Sequence, residues 1–200
     1  MPRLPLSSAP KPRRHYYLDT SALFALASEW AGTKGQPAEA KEIARAVAMR
    51  PFLQAVANAN GSIRTSTLAF QEIASVLQRR TRNFRAGEAG HGDWHNLIKK
   101  GVDPTAVRET AKRDMLQFLT YTVRAMHGIG CKVEEPPVGA LATARVGTLR
   151  REAHRRLLRL HPGLDSMDAL HIVVGYQMGA RDFVTFDDGW TDVQGITVYG

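Results

Sequence analysis

Two hundred residues with 44% apolar content suffice for one hydrophobic core, and a charged fraction of 23% argues against wholesale disorder. Lysine and arginine outnumber aspartate and glutamate 27 to 19, a formal charge of +8 with a pI near 10.0, which favours a polyanionic partner and excludes nothing about fold. Cys131 is the only cysteine, so an internal disulfide and a cysteine-built zinc site are excluded and a reducing, cytoplasmic compartment is expected; no apolar run approaches the roughly 20 residues of a membrane span, and the N-terminus lacks the apolar stretch of a secretory signal.

Residues 1–14 carry four prolines and several basic side chains and read as a flexible basic tail. The first strand is Tyr16-Tyr17-Leu18-Asp19, followed by Thr20-Ser21, which suit the cap of a helix starting near Ala22. Ala40, Ile43, Val47, Phe52 and Val56 share a helical face between about Pro37 and Asn58, with Pro51 expected to bend or divide that helix. Ile63 to Thr65 is a second strand. Ser66 or Thr67 then caps a helix expected to end near Arg80, with Ala69, Ile73, Val76 and Leu77 as its apolar stripe.

From Arg79 to Gly101 the glycines and basic residues suggest loop, with a short helix around Trp94 to Ile98. Thr105 to His127 reads as a helix burying Met115, Leu116, Leu119, Val123 and Met126. Cys131 to Glu134 is a third strand, about Val138 to Leu160 a long helix, and Asp165 to Met178 another, closed by Gly179. Phe183 to Phe186 and Ile196 to Tyr199 complete five strands. Strands alternating with helices specify an α/β fold, a parallel sheet covered on both faces, here one domain over 15–200 with a helical, basic insertion at about 79–123.

Open parallel sheets bind ligands outside the carboxyl ends of their strands. Asp19 ends the first strand and Asp187 the fourth, so two carboxylates distant in sequence converge on one edge. Glu72 lies one turn from Leu68 and Val76, on the border of an inward stripe, where a carboxylate is costly unless a cation or donors compensate. Asp168 occupies the first turn of the apolar helix Ala169-Leu170-His171-Ile172. Four acids at one rim repel one another; a hard dication such as Mg²⁺ or Mn²⁺ resolves this and supports in-line displacement at a phosphodiester. Structural roles compete at each position. Asp19 suits a helix cap, Asp168 a first-turn acid, Asp187 a turn and Glu72 an arginine partner. His171 suits a packed or hydrogen-bonded histidine better than a ligand.

Four ordered segments resemble a PIN domain, more narrowly the toxins of VapC-type toxin–antitoxin modules: Tyr17-Leu18-Asp19-Thr20-Ser21-Ala22-Leu23, Thr67-Leu68-Ala69-Phe70-Gln71-Glu72-Ile73, Asp168-Ala169-Leu170-His171-Ile172 and Val184-Thr185-Phe186-Asp187. The resemblance implies a three-layer α/β/α fold with five parallel strands in the order 3-2-1-4-5, and Mg²⁺- or Mn²⁺-dependent endonucleolytic cleavage of RNA. It implies Asp19, Glu72 and Asp168 as metal ligands, Asp187 as the fourth acid, and Thr20 or Ser21 as positioning groups for the first aspartate or the phosphate. A homodimer and a cognate antitoxin are implied as well. The chain is longer than is usual for such toxins, mainly in its tail and in the stretch from Arg79 to about Val123.

That stretch carries Arg79, Arg80, Arg82 and Arg85, candidate contacts for RNA or a partner. Three rival functions are weighed. A phosphatase of the haloacid dehalogenase type needs a second aspartate two positions after the first, where Ser21 stands. A receiver-like signalling domain needs an acidic pair near the first strand and a lysine after a late one, and neither is present. A non-catalytic RNA-binding or scaffold protein of the same fold is the alternative that sequence leaves open.

Overall fold

A computed structural model describes residues 3–33, 39–134, 153–190 and 193–200. In chain order, β1 (His15–Leu18) leads into α1 (Thr20–Thr33) and α2 (Ala40–Asn58). β2 (Ser62–Ser66) leads into α3 (Thr67–Glu88), the short α4 (Trp94–Lys99) and α5 (Thr105–Gly128). β3 (Lys132–Glu134) is followed by helical residues 153–160 and α6 (Ser166–Gln177), then by β4 (Asp182–Val184), a 3₁₀ turn at Asp188–Trp190 and β5 (Thr197–Tyr199). All five strands are parallel and lie in the order β3-β2-β1-β4-β5. The long helix expected from Val138 falls largely outside the described residues; its last turns, 153–160, are helical.

The centre of the sheet is apolar on both faces because helices cover both. Tyr16, Tyr17 and Leu18 of β1 are fully buried, and their alternation splits the core in two. Tyr16 and Leu18 join the side built on α1, α2, α3 and α5, where the Tyr16 ring meets Phe52 edge-on at 5.6 Å. Tyr17 faces the side built on α6, with its ring 5.6 Å from Phe183. There α6 comes unusually close to the sheet: a Cβ on Gly175 would stand 2.4 Å from Phe183 Cε1. Among the described residues no helix is long and apolar enough to cross a membrane.

Four details depart from expectation. Pro51 neither divides nor ends α2. The backbone acceptor it leaves idle belongs to Val47, which is 57% exposed, so the lost bond falls on the solvent side of the helix. The region after Arg79 is helical as far as Glu88, because α3 continues against α5: Arg85 pairs with the buried Asp114 of α5 at 2.5 Å, and Ala86 is buried. On α5 the inward face is Ala111, Asp114, Phe118, Tyr121, Thr122, Ala125 and Met126, leaving Leu116 and Val123 half exposed. Matching Asp114 to Arg85 turns the helix away from the phase its aliphatic residues alone suggest.

The fourth concerns residues 3–14. Leu4 N–H donates to Val198 O at 2.8 Å and Leu4 O accepts from Gly200 N–H at 3.1 Å, so the segment covers the outer edge of β5. Farther along, Lys11 Nζ and Arg14 Nε lie 3.3 and 3.1 Å from the fully buried Asp182 carboxylate. Two basic residues of this arm, Lys11 and Arg14, are thus partners of a core acid.

Candidate active site

Parallel strands deliver their carboxyl ends to one edge, where Asp168 senses the charges of Asp187 and Asp19, while Glu72 is placed by Thr20 and His171. Asp19 follows β1 and is 4% exposed. Its Oδ1 accepts from Ala22 N–H at 2.9 Å, so Asp19 does cap α1, as its spacing allowed. Its Oδ2 accepts from the Thr185 hydroxyl at 2.6 Å, and the Ser21 hydroxyl lies 2.9 and 3.0 Å from the two oxygens. Burial pushes the Asp19 carboxyl up, and the Thr185, Ala22 and Ser21 donors oppose that shift. Ser21 also accepts from Phe186 N–H at 2.8 Å, tying the start of α1 to the strand-end loop.

Asp168 sits in the first turn of α6, which Asp165 caps by accepting from Met167 and Asp168 N–H at 2.7 and 2.8 Å. Burial, then the negative charges of Asp187, Asp165 and Asp19, push the Asp168 carboxyl up to about 6. The Trp190 indole N–H works against the shift as an electrostatic neighbour; it is fully buried and meets no acceptor at hydrogen-bond geometry. Asp187 is exposed, and its Oδ1 accepts from Gly189 N–H at 3.1 Å. Asp168 and Asp187 both approach Gly189, where an added Cβ would stand 3.5 Å from Asp168 Oδ2 and 3.6 Å from Asp187 Oδ1 but only 2.9 Å from the Gly163 carbonyl oxygen. Glycine is needed there because that backbone comes too close for a side chain.

Glu72, on the second turn of α3, is occupied. Its Oε2 accepts from the Thr20 hydroxyl at 2.5 Å and lies 2.7 Å from His171 Nε2, and the His171 contact holds the Glu72 carboxyl below the usual range. Thr20 therefore serves Glu72 and Ser21 serves Asp19.

Comparison of the chain with protein-family models, with curated proteins and with solved structures found no match. The site has to be read from its own chemistry. Oxygen-only acidic donors, two of them beside Gly189 and one held against its ionisation by its neighbours, are the kind a hard dication takes. Among the described residues, no three histidine, cysteine or acidic side chains form a group that could hold a metal ion.

Sequence reasoning missed Thr185, Tyr17 and Arg3. Thr185 had a readable signal, since it stands two positions before Asp187 and shares its side of an extended chain. Arg3 had none: its guanidinium reaches the Asp187 carbonyl and lies 3.0 Å from Asp188 Oδ1, which only docking of the arm brings about. Of the insertion's arginines, Arg80 pairs with Glu39 at 2.9 Å and covers the Phe24 ring, and Arg85 is held by Asp114 and Glu88. Arg82 lies over Trp94, with its guanidinium carbon 5.2 Å from the ring centroid, and Arg79 is exposed.

Proposed function

We propose that the chain is a divalent-metal-dependent endoribonuclease that hydrolyses RNA phosphodiester bonds, acting as the toxin of a type II toxin–antitoxin module in a reducing, cytoplasmic compartment. The observation that carries the reading is Asp168, whose carboxyl is pushed up to about 6 by burial and by three acidic neighbours at the carboxyl edge of the sheet. Such an arrangement is unfavourable in the bare protein and becomes favourable when a cation is shared.

Asp168 and Asp187 would hold Mg²⁺ or Mn²⁺, with Asp19 and Glu72 completing the acidic shell. When bound, the ion supplies the positive charge that these acids lack and that a phosphodiester needs as negative charge builds on it. Ser21 and Thr185 orient Asp19, and Thr20 orients Glu72. The charge of +8 accords with RNA. Nine lysines and arginines against four acids over residues 79–113 concentrate much of that charge on α3, α4 and α5, with Arg79 and Arg82 its leading phosphate contacts. A homodimer and a cognate antitoxin occupying the acidic groove belong to the same reading.

The test is cleavage of a labelled RNA pool with Mg²⁺, Mn²⁺ or EDTA, beside Asp187→Asn, which alters an exposed acid and spares the core. Metal-dependent cleavage lost in the variant supports the nuclease. The second reading, a non-catalytic RNA-binding protein, is favoured by the hydrogen-bonded state of Glu72 and Asp19. RNA bound but intact under every condition would decide for it.

A further inference from the structure

Behind Glu72 lies a buried chain of polar groups whose hydrogens can be assigned one by one. At the start of α3, Ser66 is fully buried and its Oγ accepts from Ala69 N–H at 3.2 Å. That bond occupies an acceptor site on Ser66 and leaves its own hydrogen to be placed. Tyr17 Oη lies 2.7 Å from Ser66 Oγ and 2.8 Å from His171 Nδ1, and His171 Nε2 lies 2.7 Å from Glu72 Oε2. Tyr17 is fully buried and His171 is 2% exposed, so bulk solvent does not reach a hydrogen left over.

One assignment uses every hydrogen. Ala69 N–H donates to Ser66, the Ser66 hydroxyl to Tyr17, the Tyr17 hydroxyl to His171 Nδ1, and His171 Nε2–H to the Glu72 carboxylate. Reversing the middle of the chain, with Nδ1–H donating to Tyr17 and Tyr17 to Ser66, leaves the Ser66 hydrogen without an acceptor among the described residues, in a buried site. The helix cap of α3, acting through Tyr17 of β1, therefore favours the same Nε2–H tautomer of His171 on α6 that the Glu72 carboxylate requires.

We propose that Ser66, Tyr17 and His171 form a one-directional hydrogen-bond chain that orients Glu72, presenting Oε1 to the acidic pocket while Oε2 is held by His171 and Thr20. Tyr17 and His171 are then positioning residues, acting through Glu72 without touching substrate. The part of this inference that concerns metal rests on the nuclease reading; the chain itself does not. Groups that orient a ligand in this way typically alter metal affinity or activity by roughly 10–100-fold when removed.

The experiment has two arms. Nitrogen NMR of the full chain reads the His171 ring directly: Nε2 protonated and Nδ1 bare in the wild type, with the Nδ1 resonance moved toward that of an acceptor without a donor in Tyr17→Phe, which removes only the hydroxyl. Mn²⁺ binding by calorimetry compares His171→Gln, whose amide reaches the Nε2 position and still donates to Glu72, with His171→Asn, whose amide reaches only the Nδ1 position. The glutamine variant should bind within a few-fold of wild type and the asparagine variant at least tenfold more weakly. A protonated Nδ1 in the wild type, or an Nδ1 resonance unchanged in Tyr17→Phe, overturns the chain. Equal Mn²⁺ binding by the two histidine variants overturns its role in orienting Glu72. If the wild type binds no Mn²⁺, the nuclease reading and the orienting role fall together, while the tautomer still decides whether the chain exists.

Discussion

Asp168→Asn should make the metal-free protein more stable at alkaline pH, although it removes a residue on which the proposed activity depends. The Asp168 carboxyl titrates near 6 in the folded chain against an ordinary 3.8, because burial and the charges of Asp187, Asp165 and Asp19 disfavour its ionised form. The folded state therefore binds this proton more tightly than the unfolded state. Its contribution to stability is fully present below pH 3.8 and is lost as pH rises through about 6. At face value the penalty at pH 8 is about 3 kcal/mol. The carboxyl is only partly buried, and solvent screening reduces this to roughly 1–2 kcal/mol. Asparagine keeps an oxygen near the Trp190 indole and carries no charge. Urea unfolding in EDTA should show Asp168→Asn more stable than wild type by that amount at pH 8, with the difference shrinking toward pH 4.5. The comparison isolates this group, because Glu72, whose carboxyl is held low, contributes in the opposite sense in both proteins. A variant equal to or less stable than wild type at pH 8 would refute the view that Asp168 is held there against its own ionisation.

Further outcomes follow from single contacts. Thr185→Val keeps the side-chain shape but removes the donor to Asp19 Oδ2 and the acceptor of Asp187 N–H; denaturant titration should show a loss of about 1–3 kcal/mol. Gly175→Ala forces a methyl group against Phe183 and should cost about 1–3 kcal/mol in the same assay, with altered Phe183 ring resonances in NMR. Asp165→Ala removes the α6 cap and should lower stability by about 1 kcal/mol at pH 8, less whatever the loss of one negative neighbour returns to Asp168. Arg79→Ala and Arg82→Ala should each weaken RNA binding without regard to sequence and reduce the salt dependence of binding by about one phosphate contact, read from affinity measured over a range of salt.

Local pattern alone revealed the alternation of strands and helices, the apolar runs of a doubly covered sheet, and the two aspartates that end strands on one side of it. These are legible because strand and helix periods are written in neighbouring residues, and because parallel connections send every strand end to the same edge. The position of Glu72 at the border of its stripe was visible for the same reason. Tertiary structure decided what the periods do not encode. The face α5 buries depends on Arg85 finding Asp114, and α3 continues past Arg80 because α5 receives it. The arm that looked like a tail is held by Leu4 on β5 and by a core acid, Asp182. The state of each site acid follows likewise from distant partners: Asp19 is held by Thr185, Glu72 by His171, and Asp168 is destabilised by charges brought from β1 and the loop after β4. A carboxylate's chemistry is set by groups within a few ångströms, and here the deciding ones include Thr185, 166 residues from Asp19, and His171, 99 residues from Glu72.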